Sequence, residues 1–301
     1  MITIRQLQIF TKLVETGHMG EAADALGLTQ PALSQQLKML EQRTGVVLFE
    51  RIPRGMQLTP AGRELLVPMR STLSAYRDLL DAADRAADRP AGVIRFGVTP
   101  TIGPYLMPGA IKRLHMRFPE LKVYIREGIP SLQHSELAAG ELDMILSPMP
   151  IAGTGLAIEP IFREPLRIVA PPDDPLLRLE NRTIADFGGR TFLTLDHRHH
   201  YHRQLMAICK KLNASIIGDY QGTSLDALRQ MSGSGVGLAL LPELYVRSGA
   251  GGLSAVEIAE PRGWSEFRSV AAAWREKAAY ADTFRAIAGI IADEAAERLA
   301  A

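Results

Sequence analysis

The sequence predicts an α-helical, winged helix-turn-helix head, then one long linker helix, then an α/β domain of two lobes. Three observations lead there. Apolar residues recur at three- and four-residue spacing from Leu7 as far as Ala87. Two short β-like pieces flank the turn "RIPRG". From Val93 onward, strand-like runs alternate with helical ones, the order of βαβ units and a largely parallel sheet.

In the head, Leu7, Phe10, Leu13 and Val14 mark a first helix ending at Gly17. Ala22, Ala23, Ala25 and Leu26 mark a short second one, closed by Gly27, where a missing Cβ permits a positive φ. Thr29 is placed to cap a third helix with Pro31 in its first turn, and Leu33, Leu37 and Leu40 form its buried stripe. Thr29, Gln30, Ser34, Gln35 and Lys38 then fall off that stripe. A polar helix face is ordinarily just solvated. The second helix of a helix-turn-helix, however, enters the DNA major groove, where Gln pairs with adenine and Ser reaches bases or phosphate. Arg51 and Arg54 flank the wing turn, where arginine suits phosphate and narrow minor grooves.

Net charge does not decide the matter. Lys and Arg total 34 against 33 Asp and Glu, so placement of charge must carry any DNA reading. With 301 residues, 47% of them hydrophobic, the chain has material for about two domains. No apolar run approaches the roughly 20 residues of a membrane span and no signal pattern opens the chain, so the expected location is the cytoplasm, with no membrane partner.

Thr59 and Pro60 open the linker helix, and Leu66, Met69, Leu73, Tyr76, Leu80, Ala83 and Ala87 follow a heptad spacing. Leu66, Met69, Leu73, Tyr76 and Leu80 are the expected dimerisation seam, the alternative being packing within the same chain. Pro68 interrupts the pattern and predicts a bend. "DRAADRPAG" with Pro90 and Gly92 ends the helix at a hinge. The expected domains are 1–58, the linker 59–90, and 91–301, the last with lobe I over about 91–163 and 266–301 and lobe II over about 164–265.

Ligands of open α/β sheets bind beyond strand C-termini, against helix N-termini. "VTPTIGP" places Thr99, Pro100 and Thr101 at one such join, and "GTSLDAL" places Thr223 and Ser224, with Asp226, at another. Ser147 ends the strand "LDMILS". Each hydroxyl is equally suited to capping its own helix. "HRHHYH" holds His197, His199, His200 and His202. It invites a metal, but completes no familiar ligand spacing, so no metal or cofactor is expected and His199 and His200 are instead candidate effector contacts. "SGSGVGLALLP" does not fit GxGxxG, and no GxSxG, P-loop, HExxH or acid/base carboxylate pair is present, so nothing supports an enzyme. Cys209 stands alone and has no intramolecular disulfide partner.

The runs "LQIF", "AADALGLTQPALSQQLKMLEQRTGVVLFER" and "LTPAG" resemble the winged helix-turn-helix of LysR-type transcriptional regulators. The resemblance implies that Gln30, Pro31, Ser34, Gln35 and Lys38 face the groove, with Arg54 on the wing. It implies double-stranded promoter DNA and a small-molecule effector as partners, RNA polymerase as a candidate contact, a homodimer or homotetramer, and a C-terminal domain shaped like a periplasmic solute-binding protein. "TIGPYLMP" and "LDHRHHYHRQLMAIC" resemble the family's peroxide-sensing branch, Thr101 matching a peroxide-pocket threonine. The reactive-cysteine position of that branch aligns with His200, so the resemblance implies a pocket reassigned to a small carboxylate or polar metabolite. The alternative is a metal- or redox-responsive regulator that uses the His197 to His202 cluster or Cys209.

Overall fold

The computed structural model describes residues 1–53, 55–86, 93–222, 224–248 and 256–300. Arg54, Ala87, Pro90, Gly92 and Thr223, all singled out by the sequence, lie outside the described residues. The chain divides into two compact units, Met1–Arg89 with Ala138–Glu141, and Pro90–Leu137 with Leu142–Ala301.

In the first unit, α1 (Ile4–Thr16) begins at a capping box: the Thr3 hydroxyl accepts from the Gln6 N–H while the Gln6 side chain accepts from the Thr3 N–H. It stops at Gly17, whose φ of 68° is the left-handed conformation that glycine adopts without strain. The short α2 (Met19–Ala25) presents Ala22 and Ala23 to the core, small enough to let a neighbouring helix close in. Helix α3 (Gln30–Thr44) has the Thr29 hydroxyl accepting from Ala32 N at 3.4 Å and Pro31 in its first turn, and it buries Leu33, Leu37 and Leu40. Strands β1 (Phe49–Ile52) and β2 (Gly55–Leu58) pair antiparallel as the wing. Helix α4 (Pro60–Ala86) follows, opened by the Thr59 hydroxyl, which accepts from Gly62 N at 3.0 Å.

One core joins these elements: Leu7, Phe10, Leu13, Leu33, Leu37, Leu40, Leu48 and Phe49, the Phe10 and Phe49 rings 5.3 Å apart. Burial of such side chains is worth about 1.5–3 kcal/mol each. The seam expected on α4 is divided by this core. Met69 and Leu73 are buried in it and Leu66 packs on its edge, because the first turns of α4 lie against α1. Tyr76 and Leu80 remain 37% and 47% exposed. The first three residues of the predicted dimer seam therefore serve their own chain. The helix also runs unbroken through Pro68.

The second unit contains β3 (Val93–Val98), α5 (Gly103–Arg117), β4 (Lys122–Glu127), α6 (Pro130–Ala138) and β5 (Met144–Pro148). There follow β6 (Leu156–Ala170), β7 (Thr191–Leu195), α7 (His200–Leu212), β8 (Ser215–Gly222), α8 (Leu225–Gly233), β9 (Ala239–Pro242) and α9 (Glu243–Arg247). Strands β10 (Glu257–Ile258) and β11 (Phe267–Arg275) and helix α10 (Ala281–Ala300) complete it. Strand β3 is parallel to β4 and β5, and β7 is parallel to β8. Two separate, largely parallel sheets are not what forms. The 15-residue β6 pairs antiparallel with β11 over its first part and with β9 and β10 over its last, so it belongs to both lobes. Each lobe keeps its own core, Phe96, Leu106, Leu146, Trp274 and Phe284 in one, Ile168, Phe192, Leu205, Leu228 and Leu240 in the other.

The wing is fixed at close quarters. A Cβ on Gly62 would lie 2.2 Å from the Leu48 carbonyl oxygen. Gly62→Ala is therefore expected to cost about 1–3 kcal/mol, from forced backbone movement, read as a lower urea midpoint of the full chain.

Candidate functional site

The polar face of α3 is exposed where the sequence placed it. Gln30, Gln35 and Lys38 are exposed and Ser34 half-buried, and among the described residues none of the four has a hydrogen-bond or ion-pair partner. Their neighbour Gln36 is different: its Oε1 accepts from Gln6 Nε2 at 3.2 Å. Gln6 is buried, and its own Oε1 accepts from Thr3 N at 3.2 Å and from Arg43 Nη1 at 3.0 Å. This network pins α3 to α1 and fixes which way the free side chains point. Glu41, also on α3, accepts from Leu48 N at 2.8 Å and so ties the wing to the same helix. Arg51 is exposed on β1.

In the second unit a small cavity lies between the lobes, lined by Thr99, Thr101, His199, His200, Gln204 and Arg268 among others. Its floor is an ion pair. Arg268, 5% exposed, donates from Nε to Glu164 Oε1 at 2.7 Å, and Glu164 is fully buried. The same guanidinium donates to the Thr101 hydroxyl and to the Thr101 carbonyl, each at 2.9 Å. The second Glu164 oxygen accepts from Leu244 N at 2.7 Å. The Tyr201 hydroxyl, buried, accepts from Leu240 N at 3.3 Å. The cavity amounts to about 10 Å³, space for roughly one water molecule.

Comparison with known proteins decides what carries these two surfaces. Residues 4–63 match the model of bacterial regulatory helix-turn-helix proteins of the lysR family, and residues 87–296 match the LysR substrate binding domain. The chain belongs to the LysR family. It is 33% identical over 245 residues to the hydrogen peroxide-inducible genes activator of Dickeya chrysanthemi, covering 81% of this chain and 80% of that protein. It is 31% identical to a probable activator of the same kind from Streptomyces viridosporus, covering 96% and 93%. Among solved structures, full-length OxyR from Pseudomonas aeruginosa, in a cysteine-to-aspartate variant, superposes with a TM-score of 0.74 at 27% identity over 97% of this chain and 95% of that one. A peroxide-bound cysteine-to-serine variant of OxyR from Corynebacterium glutamicum gives 0.61 at 26% identity, covering 100% and 94%.

Of the effector residues expected from the sequence, this LysR-family fold brings Thr99, Thr101, His199 and His200 together in the cavity. Pro100, between the two threonines, is half-buried and does not line it. Ser147 is buried and bonded to His134 Nε2 at 3.1 Å, and Ser224 caps α8 by accepting from Ala227 N at 3.1 Å. Those two hydroxyls are engaged locally, the outcome that their cap-like and strand-end settings left open. Asp226 accepts from the Tyr105 and Tyr245 hydroxyls at 3.2 and 3.0 Å, which links α5 of one lobe to α8 and α9 of the other. Sequence reasoning missed Arg268, Glu164 and His134. The only signal was a charge inside an apolar strand pattern, "EFRSVAAAWR".

The histidine run is dispersed by the helix start. His197 is exposed beside Asp196, His202 bonds Thr194 Oγ1 at 2.9 Å, and only His199 and His200 reach the cavity. Among the described residues no group of three metal-ligating side chains converges. Cys209 is buried, burial pushes its thiol up to about 11, and it donates to the Ser215 carbonyl at 3.9 Å.

Two outcomes are expected. Glu164→Gln leaves Arg268 buried without its counter-charge and should cost about 3–5 kcal/mol in urea unfolding. Burial holds the His134, His199 and His200 imidazoles below their ordinary range. The unfolded chain, with imidazoles near pKa 6.5, therefore binds protons more tightly. Stability should fall as pH drops through about 6.5, levelling once the folded-state imidazoles are protonated. A urea midpoint that is lower at about pH 5.5 than at about pH 7.5, with a smaller difference in His134→Gln, is the expected reading.

Proposed function

We propose that the chain reads promoter DNA through Gln30, Ser34, Gln35 and Lys38 on α3, with Arg51 and Arg54 on the wing, and answers to a small carboxylate or other polar metabolite in the cleft. The observation that carries the DNA half is the set of unpartnered polar side chains on α3, aimed outward by the Gln6 and Arg43 network beneath them. Gln offers the paired donor and acceptor that match adenine, and Lys a point charge for phosphate. For the effector half, the support is the cavity itself, where the Thr101 hydroxyl is held by Arg268. Thr223, singled out with Ser224 at the second strand-to-helix join, is proposed as an effector contact from the sequence alone.

The cavity is too small for an organic effector as it stands, so binding must favour an arrangement with the lobes further apart. The protein works as a homodimer or a dimer of dimers. Among the described residues, Val67, Tyr76, Leu79 and Leu80 are the large apolar side chains that α4 leaves exposed for a second copy. Paired recognition helices would then sit about one DNA turn, ~34 Å, or a multiple apart. The relatives' names are those of regulators of gene expression, and the cytoplasm, where such DNA lies, is the proposed location. A second reading is response to a metal through the His197 to His202 cluster, or to peroxide through Cys209, the peroxide being what the relatives' names suggest. It is weakened by the dispersed histidines and by a single thiol that burial keeps protonated.

The test is binding to a duplex selected from a random pool, against random duplex. Gln35→Ala should lose about 1–3 kcal/mol of discrimination at one base position. Lys38→Ala should weaken binding to both duplexes and lower the salt slope by about one. Variants that bind both duplexes as the parent does would remove α3 from the reading.

A further inference from the structure

This inference rests on the cleft reading above and concerns the charge of the ligand. His200 opens α7, is half-buried, and among the described residues its ring has no hydrogen-bond partner. The charged groups that act on it are basic: Arg203, three residues further along α7, Arg268 on β11, which lines the same cavity, and His134 on α6. Of the acids nearby, Glu164 is engaged with Arg268 and Asp196 with Arg198 beside His199, while Glu127, at the end of β4 against Gly103, does not line the cavity. Strands β5 and β9 contribute Pro148 and Pro242 to the cavity, and the loop before α5 contributes Thr99 and Thr101, none of which titrates.

The other groups divide clearly. His134 is satisfied as a neutral ring, Nδ1 accepting from Ala152 N at 3.3 Å and Nε2 donating to Ser147 Oγ at 3.1 Å. Arg203 is exposed and has no ion pair or hydrogen bond among the described residues. The Thr101 oxygen accepts from Arg268, which directs its proton either to Thr99 Oγ1, 3.5 Å away, or into the cavity. The cleft thus offers a free imidazole and a polarised hydroxyl, with the unpaired Arg203 guanidinium three residues along α7 from that imidazole and no carboxylate among the residues that line the cavity. Burial and the neighbouring cations disfavour protonation of this imidazole until a negative charge arrives.

We propose that the cleft takes a small mono-anion, a carboxylate or an oxyanion of similar size, between Arg203, the His200 ring and the Thr101 hydroxyl, and that one proton passes from solvent to His200 as it binds. The only bond formed is the N–H of the protonated ring, its proton released by hydronium or a buffer acid, and the complex gains one positive and one negative charge, so its net charge is unchanged. Burial, then Arg203, Arg268 and His134, hold the empty-site imidazole below its ordinary range, and the anion raises it. Affinity should therefore rise as pH falls through the bound-state pKa, by up to about tenfold per pH unit for one proton, and level off below the empty-site pKa.

The test uses the full chain, with formate and acetate against their neutral counterparts formamide and acetamide, read as a rise in unfolding temperature at constant ionic strength across about pH 5 to 8. The carboxylates should stabilise and the amides should not. Carboxylate affinity should fall as pH rises. Arg203→Gln, on an exposed side chain, should weaken carboxylate binding at least tenfold, roughly the loss of one charge-assisted contact. His200→Gln should remove the pH dependence. Equal stabilisation by amides and carboxylates, abolished by Thr101→Val, would keep the cleft as the effector site but overturn the anion. Carboxylate affinity that ignores pH or Arg203→Gln, or no response to any probe, overturns the proposal as well. The DNA-binding reading stands or falls separately, on the Gln35 and Lys38 variants.

Discussion

The ion pair of Arg268 with Glu164 organises the effector-binding unit. It joins β11 to β6, the strands that run together along the sheet, and its two partners reach further: Arg268 holds both polar atoms of Thr101 before α5, and Glu164 accepts from the first turn of α9. A buried ion pair adds little net stability, because desolvation of both charges offsets their attraction. Its consequence is geometric. It sets the Thr101 hydroxyl at the cavity wall, its proton left to Thr99 Oγ1 or to the cavity, and it engages the Glu164 carboxylate that would otherwise offset the basic groups of the cleft. The cleft's basic character follows from that commitment.

The DNA-binding unit depends on a polar anchor of the same kind. Gln6 receives Arg43 and Thr3 on its oxygen and gives its amide to Gln36, so every strong group beneath α3 is engaged inward. What remains on the other face is uncommitted: Gln30, Ser34, Gln35 and Lys38. In both units, then, the groups proposed to meet a partner are those left over when buried polar groups have satisfied one another.

Much of this was legible. The three-helix head, its wing, the Leu33, Leu37 and Leu40 stripe and the Thr29 cap follow from periodicity and capping alone, the alternation after Val93 placed Thr99 and Thr101 beyond a strand end, and the run "HRHHYH" singled out His199 and His200. Other features left no periodic trace. Strand β6 is interrupted in sequence by Arg163 and Glu164, and a buried charge reads as a surface one until its partner, 104 residues on, is known. The pairing of Ser147 with His134 is likewise a matter of tertiary contact. The heptad on α4 was visible, but spacing cannot say whose core it enters, and Met69 and Leu73 enter their own. Ser224 could cap or bind, and it caps.

A regulator that reads promoter DNA and answers to a metabolite, as proposed, requires its cleft and its DNA-binding face to be coupled. That coupling is tested most directly by measuring the dissociation constant of the full chain for its selected duplex, with and without a saturating concentration of whichever carboxylate it binds. Coupling predicts a change of about 5- to 150-fold in either direction, and the same factor in carboxylate affinity when DNA is bound. Identical constants, with the carboxylate demonstrably seated in the cleft, would contradict it.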